Sequence, residues 1–144
     1  MERARILIVD DHEIFRKGLR TLLESRPHLE ICGEAINGLE AVQKTRDLRP
    51  DVVLMDISMP EIDGLQATRL IRSEPIHAQV LILSQHDSPH MLAAALKAGA
   101  NGYVTKSQVS QCLLAALESV IQGRPFTWNS QAGDAANAAT DKLH

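Results

Sequence analysis

Four apolar runs in this chain are each followed closely by a group with chemical capacity. Asp10 and Asp11 follow Ile6-Leu7-Ile8-Val9, and Asp56 follows Val52-Val53-Leu54-Met55. Ser84 follows Val80-Leu81-Ile82-Leu83, and Thr105-Lys106 follows Gly102-Tyr103-Val104. Singly, each has an ordinary explanation: Asp11 as a helix N-cap, Asp56 as a turn residue, Ser84 as a satisfied hydroxyl, Lys106 as a solvated cation. Together they place acids, a hydroxyl and an amine on one rim, provided the runs are neighbouring parallel strands. Three packed carboxylates repel one another and raise one another's pKa unless a cation intervenes. Oxygen donors with open positions suit Mg²⁺, which keeps several waters and accepts a phosphate oxygen. Lys106 adds a second positive point, suited to a phosphoryl oxygen or to Asp56 itself. His12 stands beside the acid pair, but a site of hard oxygens gives it little reason to be a ligand.

The elements that would position these groups are legible in the spacing. With Leu29-Glu30-Ile31-Cys32 the apolar runs number five, and three of them hold four consecutive apolar residues, as strands covered on both faces do. Segments of helical period lie after each. Phe15, Leu19, Leu22 and Leu23 form a stripe ended by Pro27; Leu39, Val42 and Thr45 form one ended by Pro50. Ala67, Leu70 and Ile71 stop before Pro75, and Leu92, Ala95 and Leu96 stop at Gly99. Val109, Cys112, Leu113, Ala116, Leu117 and Val120 make the clearest stripe, closing at Gly123. A strand–helix unit repeated five times implies an α/β fold with a parallel sheet and right-handed crossovers.

Bulk properties agree. A chain of 144 residues can build one well-filled core, and 44% hydrophobic content is ordinary for a globular protein. Fifteen Lys plus Arg against 18 Asp plus Glu give no general pull toward nucleic acid or an anionic membrane. No apolar stretch is long enough to span a bilayer, and no signal-peptide pattern opens the chain, so a cytoplasmic location is expected. Cys32 and Cys112 lack metal-type spacing and read as reduced core residues. From Gln131 the chain is mostly Ala, Asn, Asp and Thr. The expected organisation is one domain over 1–124, then a linker or disordered tail over 125–144 with no output domain.

The string Asp56-Ile57-Ser58-Met59-Pro60-Glu61-Ile62-Asp63-Gly64 resembles the loop after the phosphoacceptor in receiver domains of two-component response regulators. Asp10-Asp11, Ser84 and Lys106 fall where that family has its metal-binding acids, switch hydroxyl and invariant lysine. Ala98 to Lys106, with Gly123-Arg124-Pro125, resembles the NarL/FixJ subfamily, whose receivers are coupled to a LuxR-type helix-turn-helix domain. The resemblance implies a flavodoxin-like, doubly wound (βα)5 fold with strand order 2-1-3-4-5. It implies that Asp56 takes a phosphoryl group from a sensor histidine kinase, with Mg²⁺ held by Asp11, Asp56 and the Ser58 carbonyl, Asp10 acting through water. It makes Ser84 and Tyr103 the moving parts of a switch that controls a transcriptional output domain, and homodimer formation on phosphorylation a further expectation. DNA would be reached only through a helix-turn-helix domain, and a receiver acting alone through protein contacts is the alternative. The protein would then be a participant in phosphoryl transfer rather than a turnover enzyme, with only slow self-dephosphorylation.

Departures from the pattern are Ser107, where many receivers carry proline, and Gln85, where a small residue is common. His86 is a candidate tuner of dephosphorylation. Rival readings meet specific objections. A flavodoxin-like phosphate binder needs a Gly, Ser or Thr-rich loop after the first strand, where Asp10-Asp11 would repel the ligand. An aspartyl phosphatase would place its nucleophile on the first strand with a second acid two residues on, and residue 12 is His. A phosphorylation-independent interaction domain has no need of the complete acid set.

Overall fold

The computed structural model describes residues 3–86 and 88–128, with backbone only for Thr127 and Trp128. In chain order the elements are β1 Ala4–Val9, α1 Glu13–Glu24, β2 Leu29–Ala35, α2 Gly38–Leu48, β3 Val52–Asp56 and α3 Gly64–Arg72. There follow β4 Gln79–Ser84, α4 Pro89–Ala98, β5 Gly102–Thr105, a 3₁₀ turn over Lys106–Gln108, α5 Val109–Ile121 and β6 Phe126–Trp128. The strands form one parallel sheet in the order β2-β1-β3-β4-β5-β6. The expected order 2-1-3-4-5 is present, and the sheet continues one strand further. That sixth strand falls in the stretch read as linker; the rest of the stretch, from residue 129, lies outside the described residues.

Side-chain alternation divides the core. Ile6, Ile8, Val52, Leu54, Leu81, Leu83 and Val104 face α1 and α5, where Leu19, Leu23, Leu113 and Leu117 meet them. Leu7, Val9, Val53, Met55, Val80, Ile82 and Tyr103 face α2, α3 and α4 through Ala41, Val42, Ala67, Ile71 and Ala95. Both faces of the central strands are covered, which is why their sequences read as unbroken apolar runs. Burying each of the larger side chains contributes roughly 1.5–3 kcal/mol. Cys32 and Cys112 are half-buried and pack against opposite faces of the sheet. Burial raises both thiols, so neither is disposed to act as a thiolate.

Caps fix where the helices begin. The side chains of Asn37, Asp63 and Ser88 accept from the backbone N–H of Glu40, Gln66 and Met91, satisfying donors that the first turn leaves over. Arg72, at the end of α3, donates to the carbonyls of Ala78 (2.7 Å) and Gly99 (2.8 Å) and to the Asn101 side chain. It thereby ties α3 to the segment that leads into β4 and to the loop between α4 and β5.

Candidate functional site

The crossovers change face between β1 and β3, and the crevice at the carboxyl ends of those strands receives the acids and the amine. Asp10 leaves β1 with its N–H bonded to the Ala35 carbonyl at 3.0 Å. Its buried carboxylate is fully engaged: Oδ2 accepts from Lys106 Nζ at 2.7 Å, and Oδ1 accepts the His12 backbone N–H at 2.8 Å. Arg16 donates to the Asp10 carbonyl at 2.7 Å and to Glu34 at 2.9 Å, and Arg20 also pairs with Glu34. The end of β1 is thus pinned between α1 and β2.

Asp56 is the last residue of β3, its side chain 4% exposed. Oδ1 lies 3.3 Å from Lys106 Nζ, while Oδ2 is buried with no hydrogen-bond partner among the described residues. Burial, and after it the Asp10 carboxylate, push the Asp56 pKa up to about 6 against the pull of Lys106. Such a group ionises near neutrality only at a cost, and a cation on the open side removes that cost.

The loop after β3 holds Asp56 in place. Glu61 turns the chain with φ 69°, Asp63 caps α3, and the Gly64 N–H donates to the Ile57 carbonyl at 2.9 Å. A Cβ on residue 64 would stand 2.0 Å from the Asp56 carbonyl oxygen, so only glycine lets α3 begin this close to the acid.

Lys106 opens the 3₁₀ turn after β5, and its side chain is 10% exposed. Besides the two carboxylates, its ammonium sits 4.4 Å from the centroid of the Phe15 ring. This is a cation–π contact that holds the charge from a third direction. Ser84 ends β4 beside Thr105 of β5; its buried Oγ accepts the His86 N–H at 3.0 Å. That bond leaves the hydroxyl hydrogen for another acceptor. The His86 carbonyl accepts from Tyr103 Oη at 2.6 Å, and Tyr103 is fully buried.

One donor atom from each of Asp10, Asp11, His12 and Asp56 lies within 4.8 Å of the others. Carboxylate oxygens so grouped, on a rim where Asp56 Oδ2 has no hydrogen-bond partner among the described residues, fit a hard divalent cation. Ser58 stands on the exposed loop two residues beyond Asp56. Gln85 and His86 are exposed, and the Ser107 hydroxyl lies 3.4 Å from Thr105 Oγ1. The structure thus brings Asp10, Asp11, Asp56 and Lys106 together, with Ser84 on the same rim. Three features go beyond what the residue pattern conveys. Phe15 counts there only as part of a core stripe. Tyr103, expected as a moving part of the switch, is fully buried. The His12 ring is turned onto the acids rather than away from them.

Comparison with known proteins gives concordant results. The model of the family described as the response regulator receiver domain matches residues 6–118. The transcriptional regulatory protein DegU of Brevibacillus brevis is 39% identical over 125 residues, 86% of this chain and 52% of its own length. The response regulator UvrY of Escherichia coli (strain K12) is 40% identical over 121 residues, 84% of this chain and 56% of its own. The chain therefore spans about half the length of these curated relatives. The crystal structure of a two-component response regulator of the LuxR family from Aurantimonas sp. SI85-9A1 superposes with a TM-score of 0.86 at 37% identity, covering 99% of this chain and 100% of that one.

Proposed function

The chain belongs to the response regulator receiver domain family, and from that premise we propose that it is switched by phosphorylation of Asp56. The observation that carries the reading is the state of Asp56: buried, beside Lys106, with one carboxylate oxygen lacking a partner among the described residues. The donor is a phosphohistidine of a sensor histidine kinase, or a small acyl phosphate. A carboxylate oxygen of Asp56 attacks phosphorus, the P–N bond to the histidine breaks, and its electron pair stays on the ring nitrogen, which takes up a proton. The product is an acyl phosphate.

Asp11, Asp56 and the Ser58 carbonyl would hold Mg²⁺, and Asp10 would act through water and through Lys106. When bound, Mg²⁺ neutralises charge on the acid cluster and on the phosphoryl oxygens. Lys106, steered by Asp10 and Phe15, faces the remaining phosphoryl charge. The catalytic contribution of the protein is position and electrostatics. Ser84 turns its hydroxyl hydrogen onto a phosphoryl oxygen, which alters the β4–α4 loop through its bond to His86. Tyr103, bonded to the same residue, passes the change to the α4, β5 and α5 face. The named relatives include a transcriptional regulator of which the matched region covers 52%, and an attached helix-turn-helix domain is the output this switch would control.

The test is mass spectrometry of the intact protein after incubation with acetyl phosphate and Mg²⁺. Wild type gains one acid-labile phosphoryl group and Asp56→Asn gains none; equal gains in both would remove Asp56 from the role.

A further inference from the structure

The two carboxylates that Lys106 meets do not hold it equally. Its Nζ stands 2.7 Å from Asp10 Oδ2 but 3.3 Å from Asp56 Oδ1. Left to those contacts, the ammonium would settle against Asp10, away from the acid that takes the phosphoryl group. It is carried on a flexible four-carbon stem, so a third restraint decides where the charge stands.

That restraint is the face of Phe15, whose ring centroid lies 4.4 Å from Nζ. Phe15 sits in the first turn of α1, and its neighbour Arg16 anchors that turn to the end of β1. The Arg16 N–H donates to the His12 carbonyl at 3.0 Å, and its guanidinium donates to the Asp10 carbonyl and to Glu34. The ring packs partly buried against the core beneath α1 and α5. Phe15 is therefore fixed to the same chain end that carries the acids. An aliphatic side chain could fill its space but has no electron-rich face to turn toward a cation. The contact is sheltered, with the Lys106 side chain only 10% exposed, and cation–π attraction is stronger where water is kept out.

We propose that Phe15 is a positioning residue for phosphoryl uptake: its π face, and not its bulk, holds the Lys106 ammonium between Asp10 and Asp56, where it meets the phosphoryl oxygens during transfer. The inference rests on reading Asp56 as the phosphoacceptor, and adds a residue that acts through Lys106.

The test replaces Phe15 in the full chain with phenylalanines bearing one, two or three ring fluorines, which drain the π face while nearly keeping its shape. Each protein receives acetyl phosphate and Mg²⁺, and the rate of phosphoryl mass gain is followed. An Asp56 oxygen attacks phosphorus, the bond from phosphorus to the acetate oxygen breaks, and its electron pair leaves with acetate. The logarithm of the rate should fall stepwise with fluorine number, to about one-tenth at three fluorines, while the thermal unfolding of the series stays together. Phe15→Leu should be slowed as much, and Phe15→Tyr, which keeps the face, should stay within about twofold of wild type. Rates level across the fluorinated series overturn the inference and leave Asp56 in its role. Mass gain as fast in Asp56→Asn as in wild type overturns the phosphoacceptor reading and this inference with it.

Discussion

At the scale of single residues the site is a balance of buried charges that does not close by itself. Asp56 carries the clearest imbalance, and its sign can be worked out. Its folded pKa of about 6 stands above the ordinary 3.8, so the folded protein binds the Asp56 proton more tightly than the unfolded chain. The group's favourable contribution is complete below about pH 4 and is lost as pH rises through about 6. Above that, the ionised acid is a steady burden on the fold. In chelator at pH 8, Asp56→Asn should therefore raise unfolding stability by about 1–3 kcal/mol, and by far less near pH 4. Urea denaturation at both pH values checks this; an equal change at both would mean that the gain does not come from the charge. Lys106→Met should act oppositely. It strips Asp10 of its 2.7 Å partner and leaves a buried carboxylate, a loss of about 3 kcal/mol by the same measurement.

Elements set how closely these residues approach. The start of α3 against Asp56 and the middle of α1 offer a controlled contrast between two glycines. Gly64→Ala drives a Cβ into the Asp56 carbonyl and should cost about 3 kcal/mol, with loss of phosphoryl uptake. Gly18 is exposed on α1, and a Cβ added there would meet nothing within 4 Å, so Gly18→Ala should stabilise by about 0.5–1 kcal/mol. Thermal and urea melts of the pair separate close packing from helix propensity. The same elements show what can be read from residues alone. Four apolar residues followed by an acid locate the ends of β1 and β3, because burial on both faces forces composition. The Pro60 to Gly64 string marks the loop, because the chain must turn tightly there. β6 is not legible, because Phe126-Thr127-Trp128 is too short to declare itself and acquires its pairing only from the edge of β5. The second half of β2, through Gly33-Glu34-Ala35, is hidden for a related reason: its polar residue and the register shift beside it interrupt the apolar pattern. The contacts of Phe15 with Lys106 and of Tyr103 with His86 depend on side-chain direction across distant segments, which spacing does not encode.

Over the whole molecule the two cores respond differently to an event at the rim. The face bearing Tyr103 is closed beside the β4–α4 loop by α4, whose fully buried residues are the small Ala95 and Ala98, with Met91 and Leu92 packed partly buried against the same core. Binding of beryllofluoride with Mg²⁺ should move the backbone resonances of Ser84, His86 and Tyr103 together in wild type. In Ser84→Ala the Tyr103 response should collapse while the metal still binds. Unmoved Tyr103 signals at saturation would exclude it as the relay, and sedimentation of the same samples would show whether self-association follows. Among the described residues no helix is long and apolar enough to cross a membrane. The parallel course of β6 has a consequence for wiring. Because it runs alongside β5, with Trp128 level with Val104, it delivers the chain to the sheet's carboxyl edge, on the same side as the acids. At a spacing of about 4.8 Å per strand, that point of departure stands roughly 14 Å from β3, so a tether attached there would receive the signal over half the width of the sheet rather than through its length.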